Sequence, residues 1–538
     1  MSRGGGFGSL DSDAFVQEAV VTKSDGKFDV IPMARDTPLA VASGFWTPGS
    51  DYYSDLDRMY ALGYLESYFL HDRIYDFWTN YKHNDVDKAP EGVREWFEDQ
   101  RAYVKIMTEI SEDPFWKRMA YVQAQTQGFI DGYQRYHSKG KEIDPLDMYI
   151  LQSWGDLGDV AAAFNDAKKL EEGRVLSEST PASTAPFVAG PGTLDEGSCT
   201  GLIRLMPDGE IAVAHNTWRL YEGFIRVFKR VTYPNKLTVT MSSTPGLIHS
   251  KDDFYVQENG NLIAIETTNA MHDKEISATI ATDPEARHVA PSRGSASLPL
   301  CCSLPAWMVV DVAKHHAGER EGVAMIAEQS VSYAHLGDIS SVLYNRGYWK
   351  SYNIPYFPDV FEQMGYDDSD PQSSYHKASR SLISDRDAPE LSNVADVMLF
   401  SRYNEYITDP LSYGCPRLTI ASRYDLSDEM MCGAGAGPRA FGAIDAKVVS
   451  SGDMKTVHAV SGPTNDPENG IPVFEWSTSG VDDQIMHVGM PDRFDFPWVR
   501  FNAHSWDTEA LTDAGQEYYD DARIVAVQVE KSGKTLLI

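Results

Sequence analysis

The first third of the chain places its apolar residues at helical spacing. Met59, Leu62, Leu65 and Phe69 recur three or four positions apart, which brings them onto one helix face and predicts a helix over residues 55–80. The same periodicity predicts further helices in two stretches that only prolines interrupt, residues 91–137 near Pro114 and residues 145–172 at Pro145. We therefore expect a mostly helical chain up to about residue 175.

The pattern changes after residues 179–198, STPASTAPFVAGPGTLDEGS, whose small residues and prolines are typical of an exposed connector. Beyond it, apolar and polar residues alternate, which predicts strands in LIRLM, IAVAH, FIRVFKRV, KLTVTMS, NLIAIETT, MVVDVA and AIDAKVVS. Helices followed by strands indicate either an α+β domain or two chain segments that share one core.

Composition narrows the functional classes. The 538 residues are 42% apolar, which allows a large buried core, and no stretch has the roughly 18 apolar residues that a membrane helix needs. The net charge of −32 disfavours binding to nucleic acid or to anionic membranes. No secretory signal is visible among the first residues, and the five cysteines are too sparse for a disulfide framework.

Cys199 stands in GSCTG, which fits the pattern of a nucleophile elbow with cysteine in place of serine. An elbow needs a strand before the nucleophile and a helix after it. Here a connector precedes Cys199 and a predicted strand follows it, so the context favours other roles. A buried apolar cysteine is one of them.

A second interpretation makes Cys199 a new N-terminus. Cleavage after Ser198 would free an α-amine that can act as general base for the cysteine's own thiol. A predicted hairpin with its turn at residues 207–210 brings His215 and Trp218 back towards Cys199. His215 could then donate a hydrogen bond to a substrate oxygen or orient the thiol, although a structural histidine remains the alternative.

Several ordered blocks resemble the phospholipase B-like family. They include CTGLIRLMPDGEIAVAHNTWRLYEGFIRVFKRVTYP, STPGLIHSKDDFYVQENGNLIAIETT, GYLESYFLHDRIYDFW, GDLGDV, GYWKSYNIPYFPDVFEQMGY, RYNEYITDP, ASRYDL, GAIDAKVVS and HVGMPDRFDF. The resemblance runs from about residue 30 to residue 500. It implies an α+β, four-layer αββα N-terminal-nucleophile hydrolase that is cut before Cys199 and removes acyl chains from glycerophospholipids or related lipid esters and amides.

The resemblance also implies site residues, a location and a chain organisation. Cys199 and His215 would be catalytic, and the substrate pocket would include Trp218, Thr267, Thr268 and Asn353. Lysosomal or secreted localisation is expected, with a lipid or acylated small molecule as the partner and no cofactor or metal. The expected segments are 1–27 as a frayed terminus, 28–178 as a helical part, 179–198 as a cleaved linker, and 199–538 as a nucleophile-bearing part that shares a core with 28–178.

One block departs from the family pattern. Leu304, Pro305 and Ala306 stand where relatives carry amide side chains, and the loss of an oxyanion donor would impair catalysis. The alternative hypothesis is therefore a catalytically impaired lipid-binding or scaffold protein with the same fold. Residues 269–306 as a whole differ from the family segment, which is consistent with a gene-model error.

Other candidate sites are weaker. The aspartate pairs, such as 252–253 and 482–483, are interpreted as surface acidity rather than as glycosidase carboxylates or a calcium site. His315 and His316 lack the spacing of a zinc site, and the glycines of MCGAGAGPRAFG lack the residues of a phosphate loop. Cys415 and Cys432 could pair in an oxidising compartment, a question that the sequence leaves open.

Overall fold

A computed structural model describes residues 19–24, 27–32, 54–171, 198–235, 237–252, 254–257, 261–269, 304–329, 334–364, 366, 368–369 and 371–502. Its helices are α1 Asp55–Asn84, α2 Val93–Ile110, α3 Pro114–Tyr136, α4 Pro145–Leu151, α5 Leu157–Glu171, α6 Val312–His316, α7 Ser340–Arg346, α8 Pro358–Gln363, α9 Ser379–Asp387, α10 Val394–Ser401, α11 Glu429–Cys432 and α12 Trp476–Ser479. Short 3₁₀ turns lie at Val86–Lys88, Tyr221–Phe224, Pro371–Ser373, Ala388–Glu390, Pro410–Ser412, Tyr424–Leu426 and Pro467–Asn469.

The described strands form two large antiparallel sheets and two small two-stranded antiparallel sheets. They are β1 Ala19–Ser24, β2 Lys27–Pro32, β3 Ser198–Leu205, β4 Ile211–Leu220, β5 Val227–Thr232, β6 Thr238–Ser243, β7 Phe254–Gln257, β8 Leu262–Asn269, β9 Leu304–Asp311, β10 Ala324–Gln329, β11 Ala334–Asp338, β12 Tyr348–Ser351, β13 Phe441–Ala443, β14 Asp445–Ser450, β15 Asp453–Ser461, β16 Phe474–Glu475, β17 Arg493–Phe494 and β18 Val499–Asn502. The first sheet has the order β11-β10-β9-β8-β7-β6-β5; the second has the order β12-β3-β4-β14-β15-β18, with β13 also paired to β4. The α+β expectation is confirmed.

Prolines begin two of the predicted helices. Ser54 caps α1 in a capping box with Asp57. Pro114 and Pro145 occupy the first turns of α3 and α4, where a missing N–H costs nothing. The stretch 91–137 therefore divides into α2 and α3 at Pro114.

The gap between α4 and α5 was not predicted. The side-chain amide of Gln152 donates to the Gly246 carbonyl at 2.6 Å and accepts from the Ile248 N–H at 3.0 Å. The indole N–H of Trp154 also donates to Glu222 at 2.8 Å. These bonds tie residues 152–156 to distant loops, so tertiary contacts override the local helical pattern here.

The two large sheets pack face to face. Ile203 and Val213 of the second sheet share a buried core with Ile265 and Met308 of the first. The sheets come closest at Gly201, where an added Cβ would lie 2.7 Å from Met308 Cε. The start of β3 thus lies against the opposite sheet.

Helices cover parts of both sheets. On the second sheet, α10 places Val397 and Phe400 against Ala214 and Val448, on the face that points away from the inter-sheet core. At the edge strand of the first sheet, Glu66 of α1 pairs with Lys229 of β5 at 2.6 Å. No helix in the described part of the chain is long and apolar enough to span a bilayer.

Three expected segments of the chain lie partly or wholly outside the described residues. Residues 19–24, inside the segment expected to be frayed, form β1 and pair with β2. Residues 179–197 of the expected linker lie outside the described residues, as do residues 270–303 of the divergent segment.

Candidate active site

Cys199 lies at the start of β3, next to its first residue, Ser198. It is 7% exposed and stands directly opposite Thr217 of β4. The β3–β4 hairpin forms with its turn where the sequence predicts it. Because the chain after Cys199 continues as a strand to Leu205 rather than as a helix, the nucleophile-elbow interpretation is excluded.

Two side chains from distant parts of the chain hold the Cys199 backbone. Its N–H donates to Asn353 Oδ1 at 3.1 Å, and its carbonyl accepts from Arg380 Nη1 at 2.9 Å. The same guanidinium donates to Asn353 Oδ1 at 3.0 Å. Asn353 has a φ of 73°, an unusual conformation that asparagine tolerates better than most residues. The peptide unit at Cys199 is therefore fixed on both sides.

Arg380 of α9 also packs between aromatic rings. Its guanidinium carbon lies 4.3 Å from the centre of the Trp218 ring and 5.5 Å from that of Tyr352. Burial lowers the pKa of Arg380 to about 10. No carboxylate among the described residues forms an ion pair with it. A positive charge thus lies beside Cys199, where it would favour an anion.

His215 and Thr267 lie close to Cys199 on the inter-sheet side. His215 is fully buried and pairs with Gly201, two residues beyond Cys199 on the same face of the strand. Thr267 Oγ1 is 2.5 Å from Ser351 Oγ, and Ser351 pairs with Gly201 on the other edge of β3. Both residues therefore lie within the polar region that surrounds the start of β3.

A buried ionic cluster occupies the same face. Lys447 Nζ donates to Asp445 Oδ1 and to Thr217 Oγ1, each at 2.7 Å, and Asp445 accepts from the Thr217 N–H at 3.0 Å. Arg226 pairs with Asp445 at 3.1 Å and also with Asp252. The sequence interpretation of Asp252 as surface acidity is wrong, because this residue is only 2% exposed.

The cluster shifts the pKa values of its members. Burial lowers the pKa of Lys447 to about 8, against the attraction of Asp445. Burial would raise the pKa of Asp445, but the charges of Lys447 and Arg226 outweigh it and lower that pKa to about 2. Both groups are therefore charged at neutral pH. Such perturbed, interacting groups are typical of functional sites, although structural ion pairs show them too.

The structure brings most of the predicted site residues together. Cys199, His215, Thr267 and Asn353 surround the start of β3, and Trp218 joins them through Arg380. For Ser198 and Thr268 the structure describes the backbone alone, in which Ser198 pairs with Trp218 and Thr268 pairs with Pro305.

Sequence reasoning missed Arg380 and the ionic cluster. A signal for Asp445 and Lys447 was present in AIDAKVVS, because two charges two residues apart in an apolar strand share one face. Nothing in the sequence around Arg380 connects it with Cys199, since the contact depends on how α9 packs against β3.

Three further candidate sites from the sequence can be compared with the structure. Cys415 and Cys432 form a disulfide, and Cys199 takes no part in it. Within the described residues, no group of three His, Cys, Asp or Glu side chains could hold a metal ion. The glycines after α11 lie in a loop.

Taken together, these features define an α+β protein with two facing antiparallel sheets and a buried cysteine, Cys199, whose backbone is held at the start of a strand. A family model described as Phospholipase B matches residues 43–288 and 304–501. The chain belongs to this family. It is 30% identical over 491 residues to Phospholipase B-like protein B of Dictyostelium discoideum, covering 85% of this chain and 82% of that protein.

Mammalian relatives are about as similar. Phospholipase B-like 1 of Rattus norvegicus is 30% identical over 495 residues, covering 86% of this chain and 84% of the rat protein. Phospholipase B-like 1 of Homo sapiens is 27% identical over 495 residues, covering 86% and 83%. The expected family is confirmed, and its name indicates a hydrolase.

Proposed function

We propose that this protein is an N-terminal-nucleophile hydrolase that removes acyl chains from glycerophospholipids or related lipid esters and amides through Cys199. The observation that carries this proposal is the double anchoring of Cys199: its N–H rests on Asn353 and its carbonyl on Arg380. An asparagine oxygen at this nitrogen would hold an α-amine in place equally well after cleavage. Buried backbone groups need hydrogen-bond partners in any residue, but here both partners are side chains, which can stay in place when the bond before Cys199 is cut.

Maturation would use the Cys199 thiol. The sulfur attacks the Ser198 carbonyl carbon, the C–N bond to Cys199 breaks, and the nitrogen takes up the thiol proton. The acyl group then rests on sulfur as a thioester. Water hydrolyses this thioester, which leaves Ser198 as a carboxylate and Cys199 with a free amine and a free thiol.

Turnover would repeat the chemistry on a lipid. The α-amine takes the thiol proton as the sulfur attacks the ester carbonyl, and it returns that proton to the departing alcohol or amine. Water then releases the fatty acid from the thioester. The positive field of Arg380 supports the thiolate and the oxyanion that forms, provided that the substrate carbonyl lies beside it.

The remaining site residues take positions that suit these steps. His215 would orient the thiol or the substrate, while Trp218, Thr267, Thr268 and Asn353 would line the pocket. We extend the proposal to a four-layer αββα arrangement, to cleavage of the 179–198 linker, and to lysosomal or secreted localisation. The family membership and the Cys415–Cys432 disulfide support the last point, because disulfides persist in oxidising compartments.

A second function rests on a different observation. Ala306, at the position where relatives carry an amide, pairs with Thr267 and is buried, so an apolar side chain stands next to the site. Weaker oxyanion support there would favour a lipid-binding or scaffold protein. The two functions differ in what happens to a bound phospholipid.

Fatty-acid release from glycerophospholipid vesicles tests both functions. We expect the matured protein to release fatty acid and Cys199→Ala to abolish release, while a Cys301→Ser/Cys302→Ser control retains it. Mass spectrometry should detect an acyl group on the chain that begins at Cys199. Phospholipid recovered bound and intact, together with turnover that appears only after an amide is restored at residue 306, would support the scaffold function instead.

A further inference from the structure

The buried ionic cluster lies alongside Cys199 rather than elsewhere in the core. Thr217 stands directly opposite Cys199 across β3 and β4, and it contacts both Asp445 and Lys447 on the next strand. Lys447 of β14 lies opposite His215 of β4 in the sheet register, and His215 lies opposite Gly201 of β3. Because alternate residues of a strand share one face, Cys199, Thr217, Asp445 and Lys447 all face the opposite sheet.

The proposed chemistry leaves this cluster without a role. Arg226 and Lys447 carry two positive charges, and Asp252 and Asp445 carry two negative charges, so the four groups cancel as a set. Four charges with a net charge of zero can still create a local electric field, because each charge acts over a short distance in an interior that excludes water. Replacing four buried charges with apolar residues is often neutral or stabilising, so stability alone gives little reason to keep them.

We propose that Lys447 and Asp445 are positioning residues that set the ionisation of the Cys199 thiol from the far side of Thr217. This inference rests on the proposed role of Cys199 as the nucleophile. Lys447 brings a positive charge close to the sulfur, which favours the thiolate, and Asp445 fixes the ammonium group against Thr217 while partly offsetting its charge.

The electrostatics agree with this geometry. Cys199 interacts electrostatically with Lys447, Arg226 and Arg380. Among the described residues, His215, Arg226, Asp252, Asp445 and Lys447 lie on the inter-sheet side with the thiol, and Arg380 binds the Cys199 carbonyl. Of these, Lys447 and Asp445 can be neutralised by near-isosteric substitutions without touching the groups that bind the Cys199 backbone.

Two substitutions that remove opposite charges test the inference, because they should shift the pH midpoint of Cys199 ionisation in opposite directions. Lys447→Met removes the positive charge and should raise the pH midpoint of Cys199 ionisation by about one unit or more, which is at least about tenfold in the thiol–thiolate equilibrium. Asp445→Asn removes the negative charge and should lower that midpoint. A merely structural pair would shift both variants in the same direction or shift neither.

The readout is the ultraviolet absorbance of the thiolate during a pH titration. Each variant is measured as the difference from the same variant with Cys199→Ser, in full-length chains that carry Cys301→Ser and Cys302→Ser and share one cleavage state. The disulfide cysteines do not titrate. This spectrum needs neither substrate nor turnover, so it reports on the inference even where lipid hydrolysis is absent.

Two controls complete the experiment. Ser242→Ala removes an uncharged hydroxyl that donates to Asp252 in the same buried region, so it changes no charge and should leave the midpoint in place. Lys447→Arg keeps the positive charge, so its pH midpoint of Cys199 ionisation should lie closer to that of the wild type than to that of Lys447→Met. If Lys447→Met does not fold, the direction in which Asp445→Asn shifts the midpoint decides the test. A midpoint that stays constant or rises in Asp445→Asn overturns the inference.

Discussion

Glu328 should make the protein less stable as the pH rises from acidic to neutral. Its side chain, on β10, is 2% exposed. It accepts hydrogen bonds from the Tyr356 N–H at 2.8 Å and the Phe357 N–H at 2.9 Å. Burial raises the pKa of Glu328 to about 7, although these two amides and His335 oppose the change and Asp359 reinforces it. The loop that Glu328 holds also carries Asn353.

The direction and size of the effect follow from proton binding. Between pH 4.5 and about 7, the folded protein keeps a proton on Glu328 that the unfolded chain releases. The free energy of unfolding therefore falls as the pH rises through this window, by about 1.4 kcal/mol per pH unit. Over the whole window the contribution amounts to about 3 kcal/mol.

Urea unfolding of the wild type and of Glu328→Gln, measured every half pH unit, isolates this contribution. His249 makes the wild-type curve alone ambiguous, because burial lowers its pKa to about 3 and so removes stability as the pH falls below 6.5. In the difference between the two proteins, Glu328→Gln should gain relative stability steadily from pH 4.5 to pH 7. A difference that does not change with pH would refute the reasoning.

Three further predictions concern single contacts. Asn353→Ala removes the acceptor at the Cys199 nitrogen and should slow maturation and lipid hydrolysis roughly 10- to 100-fold, as measured by fragment appearance and fatty-acid release. Gly128→Ala would place a Cβ 1.9 Å from a carbonyl oxygen of α1, so unfolding in urea should show a loss of about 1–3 kcal/mol or more, while Gln127→Ala next to it stays within about 0.5 kcal/mol. Replacing Cys415 and Cys432 by serine should cost about 2–4 kcal/mol and make the unfolding midpoint insensitive to a reducing agent. A midpoint equal to that of the oxidised wild type would contradict this last prediction.

The fold was largely predictable because its elements obey local rules. The 3.6-residue spacing of Met59, Leu62 and Leu65 predicted α1, and alternation predicted β3 to β6. The break at residues 152–156 was not predictable, because it depends on hydrogen bonds to residues 246–248 that are remote in sequence. Sheet order was equally out of reach, since β12 pairs with β3 across more than a hundred residues.

The candidate site was predictable only in part, for a similar reason. Cys199, His215 and Trp218 belong to one hairpin, so a turn rule brought them together. Arg380 and Lys447 reach Cys199 through long-range packing, which no local pattern records. Asp252 was placed on the surface because acidic pairs usually lie there, but its ion pair with Arg226 makes burial possible.

The most direct test of the proposed nucleophile is the intact mass of the purified chain after incubation at acidic pH. We expect two fragments whose masses meet between Ser198 and Cys199, and a Cys199→Ser variant that is cut slowly or not at all. A wild-type chain that stays whole, or that is cut at the same place and rate when Cys199 is replaced by alanine, would contradict the role given to this thiol.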